Sequence, residues 1–211
     1  MATVLLTGFE PFAGDATNPS GDAVLRIADE WKERETLVAA VLPVEFRAAR
    51  RHLLELLVDH TPDVVIATGL AGGRSGISVE RVAINLKDAR IPDNAGDQPV
   101  DEPSRPHSPA AYFSTLPVKA IVSAVEGAGI PASVSHSAGT FVCNHVMFSA
   151  LDGGEPGDRK AGFIHVPYAS ESAPADKPSL PLDDIVRALR IAIRTSIDTE
   201  VDDSYAAGSL W

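Results

Sequence analysis

The amino-acid sequence predicts a single-domain α/β/α sandwich spanning residues 1–211, with a largely parallel, twisted central sheet. Short apolar runs bounded by Gly, Pro and Asp alternate with amphipathic stretches of helical period, the pattern of strands joined by crossover helices. The chain of 211 residues is 45% apolar, enough to bury one sizeable core. No internal repeat and no linker-like stretch divides it.

Thr3–Thr7 reads as a short buried strand, followed by the Gly/Pro-rich loop from Gly8 to Ser20. Asn18 or Ser20 is placed to cap a helix running to about Arg34, with Val24, Leu25, Ile27 and Trp31 facing inward. Leu37–Leu42 is a second strand, and Phe46, Ala49, Leu53, Leu56 and Leu57 then recur at helical spacing. Asp63–Thr68 is a third apolar strand, ended by the glycine loop Gly69–Gly76. Ile77–Leu86 alternates as a strand and carries Glu80 and Arg81; Lys87–Pro109 is a long loop or arm rich in Asp, Pro and Gly. Val118–Ala128 is helical, Ala132–His136 a strand, and a strand-like run ending at Val142 leads into a helix. Ala161–Val166 is a further strand, Pro167–Ser179 a loop and Leu182–Ile197 a final amphipathic helix. The tail 200–211 shows no period and is expected to be mobile.

The net charge is −11, spread along the chain. Such a surface repels phosphate backbones and anionic lipid, so neither nucleic acid nor membrane is an expected partner. No apolar run is long enough to span a bilayer, and the N-terminus has no basic n-region and no small-residue cleavage site after an apolar stretch, so it does not read as a signal peptide. A single cysteine permits no intrachain disulfide and no common structural zinc set. The expectation is a cytoplasmic protein without a metal site.

That cysteine, Cys143, sits where the strand-like run hands over to a helix, beside unpaired backbone N–H groups that favour a thiolate. Lone cysteines are more often small core hydrophobes. In parallel α/β folds, however, ligands gather beyond the carboxyl ends of the strands. The loop after the first strand, the glycine loop, Cys143 and His165 all fall there. Among six histidines, His165 has the strand-end setting a general base needs, and His136 is its competitor. His145, two residues past the cysteine on a helix, points away from the thiol. A carboxylate must orient the ring. Glu80 is one candidate, its bland alternative being a salt bridge to Arg74 or Arg81; Asp93 is another, though its Pro-Asp-Asn setting suits a turn. The glycine loop lacks the Lys-Ser/Thr of a P-loop, and no dinucleotide fingerprint follows the first strand.

Taken together, Leu6-Thr-Gly-Phe-Glu-Pro-Phe-Ala-Gly14 with Asn18-Pro-Ser20, Gly69-Leu-Ala-Gly-Gly-Arg74, Glu80-Arg-Val-Ala-Ile-Asn85, Asp88-Ala-Arg-Ile-Pro-Asp-Asn94, Ala138-Gly-Thr-Phe-Val-Cys-Asn-His145 and Phe163-Ile-His-Val-Pro-Tyr168 resemble the pyroglutamyl-peptidase I family of cysteine peptidases. They occur in the family's order. The resemblance implies removal of an N-terminal pyroglutamyl residue from peptides, with Cys143 as nucleophile, His165 as base and acid, and Glu80 as orienting carboxylate. It also implies no cofactor, a cytoplasmic location and a homo-oligomer, tetramer or dimer. The backbone N–H of Cys143 and the charge of Arg90 are the expected oxyanion stabilisers. A neutral lactam calls for flat apolar walls: Phe9 and Phe12 exposed in the first loop on one side, Phe141, Val142 and Ile91 on the other, with Asn18 bracing the loop or touching ligand. Leu70 stands where glutamine is common in the family; a role through its backbone carbonyl tolerates that change, a side-chain role does not. A nucleoside phosphorylase-like transferase is the alternative from another chemical class, with Arg74 and Arg90 on phosphate. A non-catalytic small-molecule binding module would use the same pocket.

Overall fold

The computed structural model describes residues 1–152 and 159–208, so residues 209–211 of the tail lie outside the described part. In chain order the elements are β1 (Thr3–Phe9), α1 (Pro19–Asp29), β2 (Thr36–Leu42), α2 (Phe46–His60), β3 (Val64–Leu70), β4 (Ile77–Glu80), β5 (Val82–Ile84) and β6 (Ala111–Phe113). They continue with α3 (Val118–Gly127), β7 (Ala132–Ser135), α4 (Val142–Leu151), β8 (Lys160–Val166), β9 (Tyr168–Ala169), β10 (Ser179–Leu180) and α5 (Leu182–Asp198).

The central sheet has the order β2-β1-β3-β8-β4-β7. The first four strands run parallel; β4 is antiparallel to β8 and parallel to β7. Its strands are almost unbroken apolar runs, as a sheet covered on both faces requires. One face, with Val4, Leu6, Ile66 and Ile164, packs on α1, α3 and α5; the other, with Leu5, Val65, Ala67 and Phe163, packs on α2 and α4. The predicted α/β/α sandwich is therefore the observed architecture.

Several local expectations are corrected. Helix α1 stops at Asp29 because the chain turns there, with Trp31 packed back on the core and its Nε1 donating to Glu35 O at 2.8 Å. Leu25 is 58% exposed, since a residue adjacent to inward Val24 is rotated off the buried stripe. The predicted strand Ile77–Leu86 divides at Arg81: β4 stays in the main sheet, while β5 pairs with β6 in a separate two-stranded ribbon. No strand precedes Cys143; residues 136–141 form a loop, and α4 begins directly at Val142. The arm 87–109 is held by a bridge between Lys87 and Glu102 and by Asn94, whose N–H donates to Val44 O. The described tail is tied as well: Asp202 accepts from the backbone N–H groups of Lys119 and Ala120, and the Tyr205 hydroxyl donates to Lys119 O at 3.1 Å.

Candidate active site

Side chains alternate across a sheet, and that parity assembles the site. On β8, Phe163 and His165 project to the face covered by α2 and α4, and the antiparallel register sets Ser78 opposite His165 and Glu80 opposite Phe163. Glu80 thus lies on the diagonal from His165, within reach of a long side chain. The His165 Nδ1 meets Glu80 Oε1 at 2.7 Å, with the carboxylate fully buried. This leaves Nε2 as the nitrogen free for chemistry. On the other side of β8, His165 pairs in register with Gly69 of β3. A Cβ on Gly69 would stand 2.9 Å from Cys143 Sγ and 2.9 Å from Phe163 Cζ. The missing side chain is what lets the thiol settle against β3 at the residue paired with His165. No hydrogen bond joins sulfur and imidazole among the described residues; both instead line one cleft.

Helix α4 delivers the thiol. Cys143 is its second residue, and the next one, Asn144, is fully buried and clamps the helix to β5. Asn144 Oδ1 accepts from Ile84 N at 2.9 Å, and Nδ2 donates to Ile84 O at 2.8 Å and Leu86 O at 3.0 Å. Four helices find a side-chain acceptor for their first N–H groups: Asn18 for α1, Asp93 for α2, Asp202 for α3 and Glu171 for α5. Among the described residues α4 finds none. Its first-turn N–H groups remain available to an anion in the cleft.

The electrostatics revise one expectation. Burial pushes the Cys143 thiol up to about 12, the Glu80 charge adds to this, and Arg74 and the Cys143 N–H oppose it only in part. The helix terminus does not win, so the resting sulfur is a neutral thiol. Burial also pushes His165 below the ordinary histidine value, against the hydrogen bond and charge of Glu80, and the imidazole rests neutral. For Glu80, burial acts upward but is outweighed by the His165 hydrogen bond and charge, the Ser135 hydroxyl and Arg74, so the carboxyl is held below its usual range.

The cleft encloses about 300 Å³ and is lined chiefly by apolar groups. Phe9, Phe12, Asn18, Leu70, Phe141 and Val142 line it, together with Cys143 and His165. Phe12 and Phe141 face each other with ring centroids 5.1 Å apart. Phe9 is not exposed in the loop; it is the last residue of β1 and 2% exposed. Asn18 braces the loop: Oδ1 accepts from Ser20 N at 3.1 Å and Nδ2 donates to Glu10 O at 2.9 Å. Arg90 and Ile91 are exposed and do not line the cleft, because the arm turns them outward. His136 is likewise exposed and outside the lining. His145 is buried against Phe46, with ring centroids 5.8 Å apart. Asp93 takes the turn role, accepting from Ala95, Asp97 and Phe46 N–H groups. Of the two arginines offered to Glu80, Arg74 makes the pair, at 2.7 Å. Asn144 was missed, although a buried amide beside the only cysteine is itself a signal; Tyr168 and Asp15 are joined at 3.2 Å on the cleft wall, Tyr168 closing the Phe163–Tyr168 motif without a role assigned to it and Asp15 lying outside every motif. Among the described residues, no three His, Cys, Asp or Glu side chains gather as a metal ion would need. No helix there is long and apolar enough to cross a membrane.

The chain is similar over nearly its whole length to known proteins. A family model described as pyroglutamyl peptidase matches residues 2–199. The pyrrolidone-carboxylate peptidases of Chromobacterium violaceum and Clavibacter michiganensis are 51% and 48% identical, each alignment covering 100% of both chains. Among solved structures, the Bacillus amyloliquefaciens pyroglutamyl peptidase I superposes with a TM-score of 0.91 at 45% identity, covering 96% of this chain and 100% of that one. The pyrrolidone carboxyl peptidase of Thermococcus litoralis gives 0.92 at 40% identity, covering 98% and 99%.

Proposed function

Because the chain belongs to the pyroglutamyl peptidase family, we propose that it removes N-terminal pyroglutamyl residues from peptides by acyl transfer to Cys143. The observation that carries the mechanism is the buried Glu80–His165 contact of 2.7 Å, set in one cleft with the chain's only cysteine. Sulfur and imidazole both rest neutral, so the Cys143 proton passes to His165 Nε2 as Sγ forms its bond to the pyroglutamyl carbonyl carbon. Glu80, already ionised, stabilises the imidazolium that results. The carbonyl oxygen becomes an anion beside the uncapped first turn of α4, where one such donor is commonly worth about 3–4 kcal/mol of barrier. The C–N bond then breaks, and the imidazolium gives its proton to the departing amine. Water loses a proton to the same ring, attacks the thioester and breaks the C–S bond, releasing pyroglutamate and restoring the thiol.

The walls suit a lactam. Phe9, Phe12 and Phe141 offer flat apolar surface, and a pyroglutamyl residue has no ammonium in need of an acidic anchor. Leu70 serves through its backbone on this reading: Leu70→Gln leaves KM within about twofold. A cytoplasmic location is proposed from the single cysteine and the family resemblance, and a homo-oligomer, tetramer or dimer, from the resemblance. Neither a metal nor another cofactor enters any step.

The test compares hydrolysis of a pyroglutamyl amide and its prolyl counterpart by the protein and by Cys143→Ser. The pyroglutamyl substrate alone should turn over. The variant should fold, by circular dichroism, and lose roughly 10⁴-fold or more in kcat. Undiminished turnover by folded Cys143→Ser would remove the cysteine mechanism.

A further inference from the structure

Glu80 has a second partner besides His165, and the two meet at a single atom. Arg74 Nη1 lies 2.7 Å from Glu80 Oε1, the oxygen that His165 Nδ1 also touches at 2.7 Å. The other guanidinium nitrogen, Nη2, donates to Ser137 O at 3.3 Å, in the loop that leads to Cys143. Glu80 Oε2 has no hydrogen-bond partner among the described residues. Arg74, in the loop after β3, therefore joins the carboxylate on β4 to the segment delivering the nucleophile, although it does not line the cleft itself.

We propose that Arg74 is a positioning residue for the proposed acyl transfer: it holds the Glu80 carboxylate ionised and aimed at His165, and anchors the loop that presents Cys143. A carboxylate taken wholly out of water is costly unless paired. With the imidazole neutral at rest, Arg74 is the one formal positive charge in contact with Glu80 among the described residues. A guanidinium suits this task because its planar fork can serve two acceptors at once.

The charged and titratable groups around the pair are few. From the loop comes Arg74, from β8 His165, from α4 Cys143, while Ser135 of β7 adds a hydroxyl and Asp15 and Tyr168 stand further along the cleft wall. Arg74 works downward on all three ionising groups, Glu80, His165 and Cys143. Removing its charge should therefore move the thiol and the imidazole to higher pH together. A purely structural loss would lower the rate without moving either limb of a pH profile.

Cys143 is the only cysteine, so its alkylation by iodoacetamide reports on this site alone. Because the thiolate is the reacting form, alkylation below the thiol pKa scales with the fraction ionised. Arg74→Met is expected to be alkylated about tenfold more slowly than the unsubstituted protein at pH 8, because less of its thiol is ionised. The acid limb of its kcat/KM profile on a pyroglutamyl amide should move to higher pH. Arg74→Lys, which keeps the charge but not the fork, should restore the alkylation rate and the acid limb while kcat stays reduced. Thermal denaturation checks that each variant is folded. Unchanged alkylation and an unmoved acid limb in folded Arg74→Met would overturn the proposal, as would Arg74→Lys behaving like Arg74→Met in both. If Arg74→Met does not fold, Arg74→Lys decides alone: a kcat matching the unsubstituted protein would overturn it. The inference rests on the acyl-transfer reading, and the two fail separately. Absent turnover of any pyroglutamyl substrate by the unsubstituted protein defeats that reading, whereas alkylation still measures what Arg74 does to the thiol.

Discussion

His145 and His165 are both buried, yet only one is equipped to move a proton. His165 has a carboxylate on Nδ1 and a cleft before Nε2; His145 has a Nδ1 without a hydrogen-bond partner among the described residues and an aromatic neighbour in Phe46. Burial, helped by the charges of Lys87 and Arg50, lowers His145 from 6.5 to about 4. The sign follows from proton binding. Between those two values the unfolded chain takes up a proton that the folded protein refuses, so stability is complete above pH 6.5 and falls toward pH 4. The loss attributable to this residue is about 3 kcal/mol. Urea denaturation at pH 7 and pH 4.5 should show that slope, and His145→Gln should flatten it; an equally steep slope in the variant would contradict the assignment. His165 adds to the same trend, since its value is lowered too. At Glu80 the expectation concerns rate. Glu80→Gln should keep the fold and lose roughly 10²–10⁴ in kcat, because a neutral amide neither stabilises imidazolium nor fixes the tautomer. A kcat within tenfold of the unsubstituted value would contradict that role.

Helix ends explain much of how the elements are joined. Helices α2, α3 and α5 carry no local N-cap side chain; each borrows a carboxylate from far along the chain, Asp93 from the arm, Asp202 from the tail and Glu171 from the loop after β9. Asp202→Ala should cost about 1 kcal/mol of stability, with faster amide exchange at Lys119 and Ala120. Unaltered exchange there would show the cap to be idle. Gly69→Ala tests the contact between β3 and α4. The added methyl meets Sγ and the Phe163 ring at once, so about 1–3 kcal/mol of destabilisation is expected, with a larger proportional loss of activity as the thiol is displaced. These devices mark what was legible in the sequence. Long periodic or uniformly apolar segments such as Phe46–His60 and Val64–Leu70 declare themselves, because burial of one stripe or of both faces sets the residue pattern. Three-residue β5 and β6 are too short for a period, and Arg81 breaks the run where one strand leaves the main sheet for another ribbon. Distant caps leave no local trace, which is why the tail reads as free.

At the scale of the whole molecule, sheet polarity concentrates chemistry. Parallel β1, β3 and β8 end together at Phe9, Leu70 and Val166, and the cleft lies over those ends. Reversal of β4 against β8 then brings Glu80 to His165 from the opposite direction, a juxtaposition that no short motif encodes. Cys143, His165 and Glu80 were legible as candidates because each is an unusual residue in an apolar segment; the linking register was not, since it exists only once the sheet pairs. The misplaced residues share a different cause. Arg90 and Ile91 belong to a non-periodic arm whose direction depends on its anchors at Val44 and Glu10, not on its own sequence. The net charge of −11 disfavours an additional anion, and burial of the thiol compounds this, so sulfur ionises only as it reacts. The central claim is thus a covalent acyl-enzyme at one atom. Acid-quenched mass spectrometry during turnover of a pyroglutamyl amide tests it most directly. A single pyroglutamyl group is expected on the peptide containing Cys143, absent in Cys143→Ser; steady release of the leaving amine with the substituted chain turning over and no adduct on any residue would contradict an acyl-enzyme.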